Sequence, residues 1–197
     1  MAGWTTSEVV LTQSLNERTM VISKFIRLAV ACQRLNNFAT VTQIVVGLQS
    51  QHVAALCKSW EGLSPEDKKS WLELLELVDA SKNWSNMRRA MDTSGIGPRP
   101  EGVGCIPFIG IQSPLSLSLI PGVFMSDLVH VTTRSLPLGK IDFEGLRIRA
   151  SIVKNTLRMI ELAEEYDFQP EPGLGERCLW ITAFDEHMLH RIARGLE

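Results

Sequence analysis

The stretch LNNFATVTQIVVGLQ (residues 35–49) sets two adjacent asparagines between apolar runs, and its reading decides the fold. After the pair, Phe38, Val41, Ile44, Val45 and Leu48 recur at three- and four-residue spacing, the period of a helix. Before it, Val21, Ile22, Phe25, Leu28, Ala29, Cys32 and Leu35 follow the same rule, from a start for which Asn16 is the expected N-cap. Asn36 suits the end of the first helix, because asparagine tolerates left-handed backbone. Asn37 suits the cap of the second. The pair therefore reads as a helix–helix junction.

Helical spacing continues through Val53, Leu56 and Trp60. A further helix is announced by Ser64 as N-cap, Pro65 at the first helical position, and Glu66 and Asp67 in the first turn, where acidic groups face the positive end of the helix dipole. Trp71, Leu72, Leu75 and Val78 are expected to face the core from it. A shorter helix around Trp84 to Met91 leads into DTSGIGPRPEGVGCIP (residues 92–107), which its glycines and prolines predict to be a loop. Residues 142–166 place Ile148, Ile152, Leu157, Ile160 and Ala163 at helical spacing, and a last helix is expected between Glu176 and Gly195. No internal repeat and no strand alternation stand out. The expected architecture is one all-α domain over residues 1–197.

Composition narrows the function classes. With 45% hydrophobic and 21% charged residues the chain is that of an ordinary globular protein. A net charge of -2 provides no basic field for nucleic acid or anionic lipid. The first residues lack the basic-then-apolar pattern of a signal peptide and no apolar run is long enough for a bilayer, so a cytoplasmic protein without direct membrane insertion is expected. Cys32, Cys57, Cys105 and Cys178 form no CxxC pair and read as reduced, mostly buried thiols.

The sequence contains no nucleophile elbow, phosphate-binding glycine loop, dinucleotide fingerprint or HExxH. His187 and His190 stand three apart on a helical stretch, but no third ligand follows at a useful spacing, so they read as exposed histidines and no metal is expected. Glu164 and Glu165 point about 100° apart on a helix and read as a solvated face instead of an acid–base pair. Trp4, Trp60, Trp71, Trp84 and Trp180 are scattered, which suits packing.

A longer view adds a family. The segment ERTMVISKFIRLAVACQRLNNFATVTQIVVGL (residues 17–48), with Arg18, Asn36, Asn37 and Phe38, resembles the catalytic domain of Ras guanine-nucleotide exchange factors. The resemblance continues in order through SWEGLS (59–64), DASKNWSNMRRAM (79–91), CIPFIGI (105–111) with Pro107 and Phe108, FMSDLVHV (124–131), IDFEGLR (141–147) and FDEHMLHRIA (184–193). It implies an all-α domain with a protruding helical hairpin at about residues 126–166. It also implies a Ras-family small GTPase as partner, with no cofactor and no covalent chemistry. Such a factor acts by binding the nucleotide-free GTPase more tightly than the loaded form. Gln49, Asp127, Val129, His130 and Thr133 are the GTPase-facing candidates that the resemblance implies, with Val129 and Thr133 as the wedge. The runner-up is a non-catalytic helical module derived from the same domain that docks a GTPase or a scaffold. Recruitment to the plasma membrane would run through the GTPase or through other domains.

Three departures from the family pattern stand out. Thr133 occupies an acidic position, Gln49 replaces an asparagine, and Met1 falls inside the expected domain, which predicts an N-terminally incomplete copy. Residues 111–122, IQSPLSLSLIPG, interrupt a segment that the family keeps continuous. They read either as a true insertion that contacts the GTPase or as a retained in-frame intron or gene-model artefact.

Overall fold

The structure is a computed structural model, and it describes residues 1–96, 104–112, 119–121, 127–128, 142–169, 171–179 and 181–196. Its helices are α1 (Ala2–Leu11), α2 (Leu15–Arg34), α3 (Phe38–Leu48), α4 (Gln51–Ala54), α5 (Cys57–Glu61), α6 (Pro65–Leu77), α7 (Ser81–Ile96), α8 (Phe143–Glu161), α9 (Leu174–Leu179) and α10 (Glu186–Ala193). A 3-10 turn, Leu162–Glu165, extends α8. The all-α class expected from the sequence holds. One small ribbon is added to it: β1 (Gly110–Gln112) pairs antiparallel with β2 (Leu119–Pro121), Ile111 opposite Ile120. The ribbon arises where the atypical stretch 111–122 begins and ends. Pro121 has no N–H to give a ladder and occupies the terminal pair opposite Gly110, a position where proline is tolerated.

The core is built by α2 and α3 together with α1 and α6. Ile22, Ile26 and Ala29 of α2 meet Val41, Ile44, Val45 and Leu48 of α3 in one fully buried cluster. α1 has no counterpart in the sequence reading, because threonine and serine are weak helix formers. Its hydroxyls are satisfied locally instead: Thr6 Oγ1 donates to the Ala2 carbonyl at 3.3 Å and Ser7 Oγ to that of Gly3 at 2.8 Å. Thr6 also donates to the Gly47 carbonyl at 3.0 Å. The approach of α1 to α3 is so close there that a Cβ on Gly47 would lie 2.6 Å from the Ala2 oxygen. The glycine in the Gly47-Leu48 pair is thus required by helix packing.

Several expectations need correction. α2 starts at Leu15 after Ser14, two residues before the sequence reading put it, so Asn16 is a first-turn residue and not the cap. α6 buries Leu74, Leu77 and Val78, whereas Leu72 is 65% exposed, because the α6 contact stripe follows Leu74 and its neighbours one turn on. α7 runs on to Ile96, so the first residues of the expected loop are helical. Residues 97–103 lie outside the described set. In place of one last helix there are two, α9 and α10, and residues 181–185 ahead of α10 are not helical. Cys105 is buried and Cys32 half-buried, but Cys57 and Cys178 are exposed; none of the four is in a disulfide. The Ser64 cap holds, with its side chain accepting from Asp67 N–H at 3.1 Å.

Asp67 also joins α6 to α2. Its carboxylate accepts from Arg27 Nε at 3.0 Å and from Ser23 Oγ at 2.7 Å. The Arg27 guanidinium holds the Asp67 carboxyl below the usual carboxylate range. A carboxyl depressed in the folded state contributes stability that is present above its unfolded pKa and is lost as pH falls through its folded one. Asp67→Ala is therefore expected to cost about 1–2 kcal/mol at neutral pH, and the part of that cost linked to ionisation should be lost as acid takes the pH through the depressed folded value. Urea melts of both proteins at neutral pH and in acid check this; an equal difference at both would remove Asp67 from the account.

Candidate functional site

The asparagine pair does more than join two helices. Asn36 takes the left-handed conformation at φ 56°, and Asn37 caps α3 by accepting from Thr40 N–H at 3.0 Å, as the sequence predicts. The backbone exposed by that turn then captures a distant segment. Ile106 N–H donates to the Asn36 carbonyl at 2.9 Å, Phe38 N–H donates to the Ile106 carbonyl at 2.9 Å, and Asn36 Nδ2 reaches the Gly104 carbonyl at 3.3 Å. The junction thus holds residues 104–108 as a short parallel bridge. Pro107 and Phe108 are buried at its end.

The end of α8 docks at the same place. Cys105 N–H donates to the Leu162 carbonyl at 3.1 Å, and the Tyr166 hydroxyl donates to the Leu35 carbonyl. Burial pushes the Tyr166 phenol up to about 12. Asp142, which caps α8 by accepting from Gly145 N–H at 2.8 Å, opens the limb that the sequence places at residues 142–166. The face of α8 bearing Met159 is buried, while Leu146, Val153 and Leu157 are exposed and line an open groove with Arg149, Lys154 and Arg158. Leu157 and Ile160, part of the helical spacing read from the sequence, are exposed.

Phe108 carries the connection onward. Its ring is fully buried with its centroid 5.0 Å from that of Trp84, in the first turn of α7. That turn is left-handed at Lys82, Asn83 and Trp84, with φ of 52°, 56° and 59°. Each such residue costs about 1–2 kcal/mol in isolation, so its surroundings must impose it. Arg88 Nε donates to the Asn83 carbonyl at 2.7 Å and Nη2 to Asn83 Oδ1 at 3.0 Å. The same guanidinium grips both oxygens of Asp127, Nη1 to Oδ2 at 2.7 Å and Nη2 to Oδ1 at 2.8 Å.

The structure therefore joins Asn36, Asn37, Phe38, Pro107, Phe108 and Asp127 into one chain of contacts. Gln49 is elsewhere: it is exposed at the C-cap of α3, beside Ser50 and Gln51. Gln51 Nε2 donates to Glu186 Oε1 of α10 at 3.3 Å, and the buried His52 lies edge-on to His190, centroids 5.8 Å apart. Desolvation, with His190 second, lowers the His52 pKa. His187 and His190 are exposed, as expected. Glu164 and Glu165 are exposed in the 3-10 turn. Arg18 is buried at 1% exposure, with Nε donating to Ser59 Oγ at 2.9 Å and Nη1 to the Thr12 carbonyl at 2.9 Å, so it ties the α1–α2 turn to α5. Val129, His130 and Thr133 lie outside the described residues, as does Trp180.

Sequence reasoning missed Asn83, Arg88, Gly104 and Tyr166 as parts of this site. The first two stood in the quoted segment 79–91, but nothing in their spacing points to Asp127. Among the described residues no three His, Cys, Asp or Glu side chains are arranged to hold a metal ion, and no helix is long and apolar enough to cross a membrane.

Comparison with known proteins gives this helical core a family. The family model of the RasGEF domain matches residues 1–147, and the chain belongs to that family. Guanine nucleotide exchange factor LTE1 of Kluyveromyces lactis is 28% identical over 191 residues, covering 96% of this chain and 13% of the relative. LTE1 of Saccharomyces cerevisiae is 25% identical over 193 residues, covering 96% of this chain and 12% of its own length. Ras-specific guanine nucleotide-releasing factor RalGPS2 of Homo sapiens is 28% identical over 172 residues, covering 86% of this chain and 26% of the relative. The chain thus spans about an eighth to a quarter of the curated relatives it matches.

Proposed function

We propose that this chain promotes GDP release from a Ras-family small GTPase in small GTPase-mediated signalling, acting in the cytoplasm and at the membrane where such a GTPase resides. The match of residues 1–147 to the RasGEF domain carries this reading. The relatives named as exchange or releasing factors support it. The mechanism needs no bond to be made or broken: the domain stabilises the nucleotide-free GTPase, and that differential affinity drives nucleotide loss. Gln49 offers its amide to the GTPase in this reading, which its exposure at the end of α3 supports. Val129 and Thr133 are the wedge candidates, and His130 is a further GTPase-facing one.

A second reading, a helical module that docks a GTPase without exchanging its nucleotide, is favoured by Thr133, which puts no negative charge where the family presents one to the phosphates and magnesium. Release of a fluorescent GDP from a panel of Ras, Rap and Ral GTPases decides between the two. Stimulated release by this chain, abolished by Val129→Asp in a protein that stays folded, supports exchange. Binding to the nucleotide-free GTPase without release supports docking. Neither release nor binding would sink both.

A further inference from the structure

Asp127 was expected to face the GTPase, yet both its oxygens are taken from within the domain. Arg88 holds them in a two-pronged grip, and Asn83 Nδ2 approaches Oδ1 at 3.5 Å. Arg88 and Asp127 are three-quarters covered, with side-chain exposures of 26% and 24%. A bidentate guanidinium–carboxylate pair fixes direction as well as distance. The same guanidinium closes on the carbonyl and the side chain of Asn83, inside a left-handed run that no regular helix start contains. Trp84, in that run, packs against Phe108 with the ring planes tilted at 51°, and Phe108 belongs to the segment stapled to the Asn36–Asn37 junction.

We propose that Arg88 is a positioning residue for nucleotide release: it locks Asp127, two positions before Val129 in the sequence, to the left-handed turn of α7, and Asp127 serves this lock instead of contacting the GTPase. The proposal rests on the exchange reading for its consequence but on the contacts above for its geometry. It explains why the turn keeps three non-glycine residues at positive φ. A lysine could not replace the arginine, since one ammonium cannot hold two carboxylate oxygens and the Asn83 carbonyl in fixed directions.

The test uses the 197-residue chain with Arg88→Lys, Arg88→Ala, Asp127→Ala and the double alanine variant. Hydrogen exchange is followed in peptides containing Asp127 and Leu128 and in those containing Lys82 to Trp84, with α2 and α3 as the internal reference. Arg88→Lys is expected to speed exchange in the first two by at least about tenfold, the effect of losing one charge-assisted hydrogen bond, and to leave α2 and α3 unchanged. The double variant should be no looser than the worse single one, because both remove one lock. In GDP release the maximal rate should fall about tenfold, while the half-saturating GTPase concentration is unchanged.

Unchanged exchange at Asp127 and Leu128 in Arg88→Lys overturns the proposal. Equal loosening of α2 and α3 also overturns it, since Arg88 would then be a general stability residue. A raised half-saturating concentration in Asp127→Ala, with the maximal rate intact, would return Asp127 to the GTPase surface. Should the unaltered chain release no GDP, the exchange reading fails by itself, and the hydrogen-exchange arm still decides the lock.

Discussion

Phe108→Ala is expected to destabilise the protein by about 3–5 kcal/mol, the usual range for deleting a fully buried phenylalanine. The ring is at 0% exposure and meets Trp84 with centroids 5.0 Å apart and planes at 51°. Its loss removes apolar burial, leaves a cavity and breaks an aromatic pair that contributes about 0.5–1.5 kcal/mol beyond area. The segment behind Phe108 is pinned by backbone bonds to Asn36 and Phe38, and α7 is pinned in front by Met87 and Met91, both buried. Neither side can collapse easily into the gap, which puts the cost toward the upper part of the range. Phe108→Leu keeps most of the volume and should cost less than about 2 kcal/mol. Urea unfolding of the three proteins checks both values. A cost under about 1.5 kcal/mol for the alanine variant would show that the site relaxes and that Phe108 does not carry the α7 contact.

How much of this was legible in the sequence depends on the range of the interaction. The α2–α3 junction and the Ser64 cap were readable because their signals are local: Asn37 and Ser64 each cap the helix that follows through an N–H three residues on, and Asn36 tolerates the left-handed turn between the helices. What the junction holds was not readable, since Gly104 and Ile106 lie 68 and 70 residues from Asn36 and offer it a backbone carbonyl and a backbone N–H, which every residue has. α1 was missed because its hydroxyls satisfy themselves against its own carbonyls, a use that propensity scores as a defect. On α6 the apolar residues wrap around more than one face, so spacing alone could not rank Leu72 below Leu74.

The candidate site divides the same way. Family resemblance, carried by ordered motifs, brought Asn36, Phe108 and Asp127 to attention, but nothing in those motifs pairs Asp127 with Arg88 and Asn83, which its oxygens face. The left-handed run at Lys82, Asn83 and Trp84 had no sequence signal, because only asparagine among the three favours that region and no glycine marks it. A conformation imposed by tertiary contacts leaves its trace in the partners, here Phe108 and Asp127, and not in the residues that adopt it.

Gly104→Ala is expected to cost about 3 kcal/mol or more, at the high end for added volume in a packed site. A Cβ there would lie 2.1 Å from the Leu162 carbonyl oxygen and 3.0 Å from the Tyr166 ring. The obstacle at 2.1 Å is backbone, so no side-chain rotation relieves it, and either the 104–108 segment or the end of α8 must retreat. Retreat breaks the Cys105 N–H bond to Leu162 and exposes Tyr166, whose hydroxyl bonds the Leu35 carbonyl. The chain has one tyrosine, so its absorbance titration reports this contact alone. In the unaltered protein burial raises that phenol to about 12. Because the folded value exceeds the unfolded one near 10, the stability linked to the protonated phenol is complete below about pH 10 and is lost as pH rises toward the folded value. Gly104→Ala should move the titration down toward about 10 and flatten the alkaline loss of stability, together with the lower melting temperature. A variant whose tyrosine still titrates near 12 and whose stability is unchanged would show that α8 does not dock through Gly104.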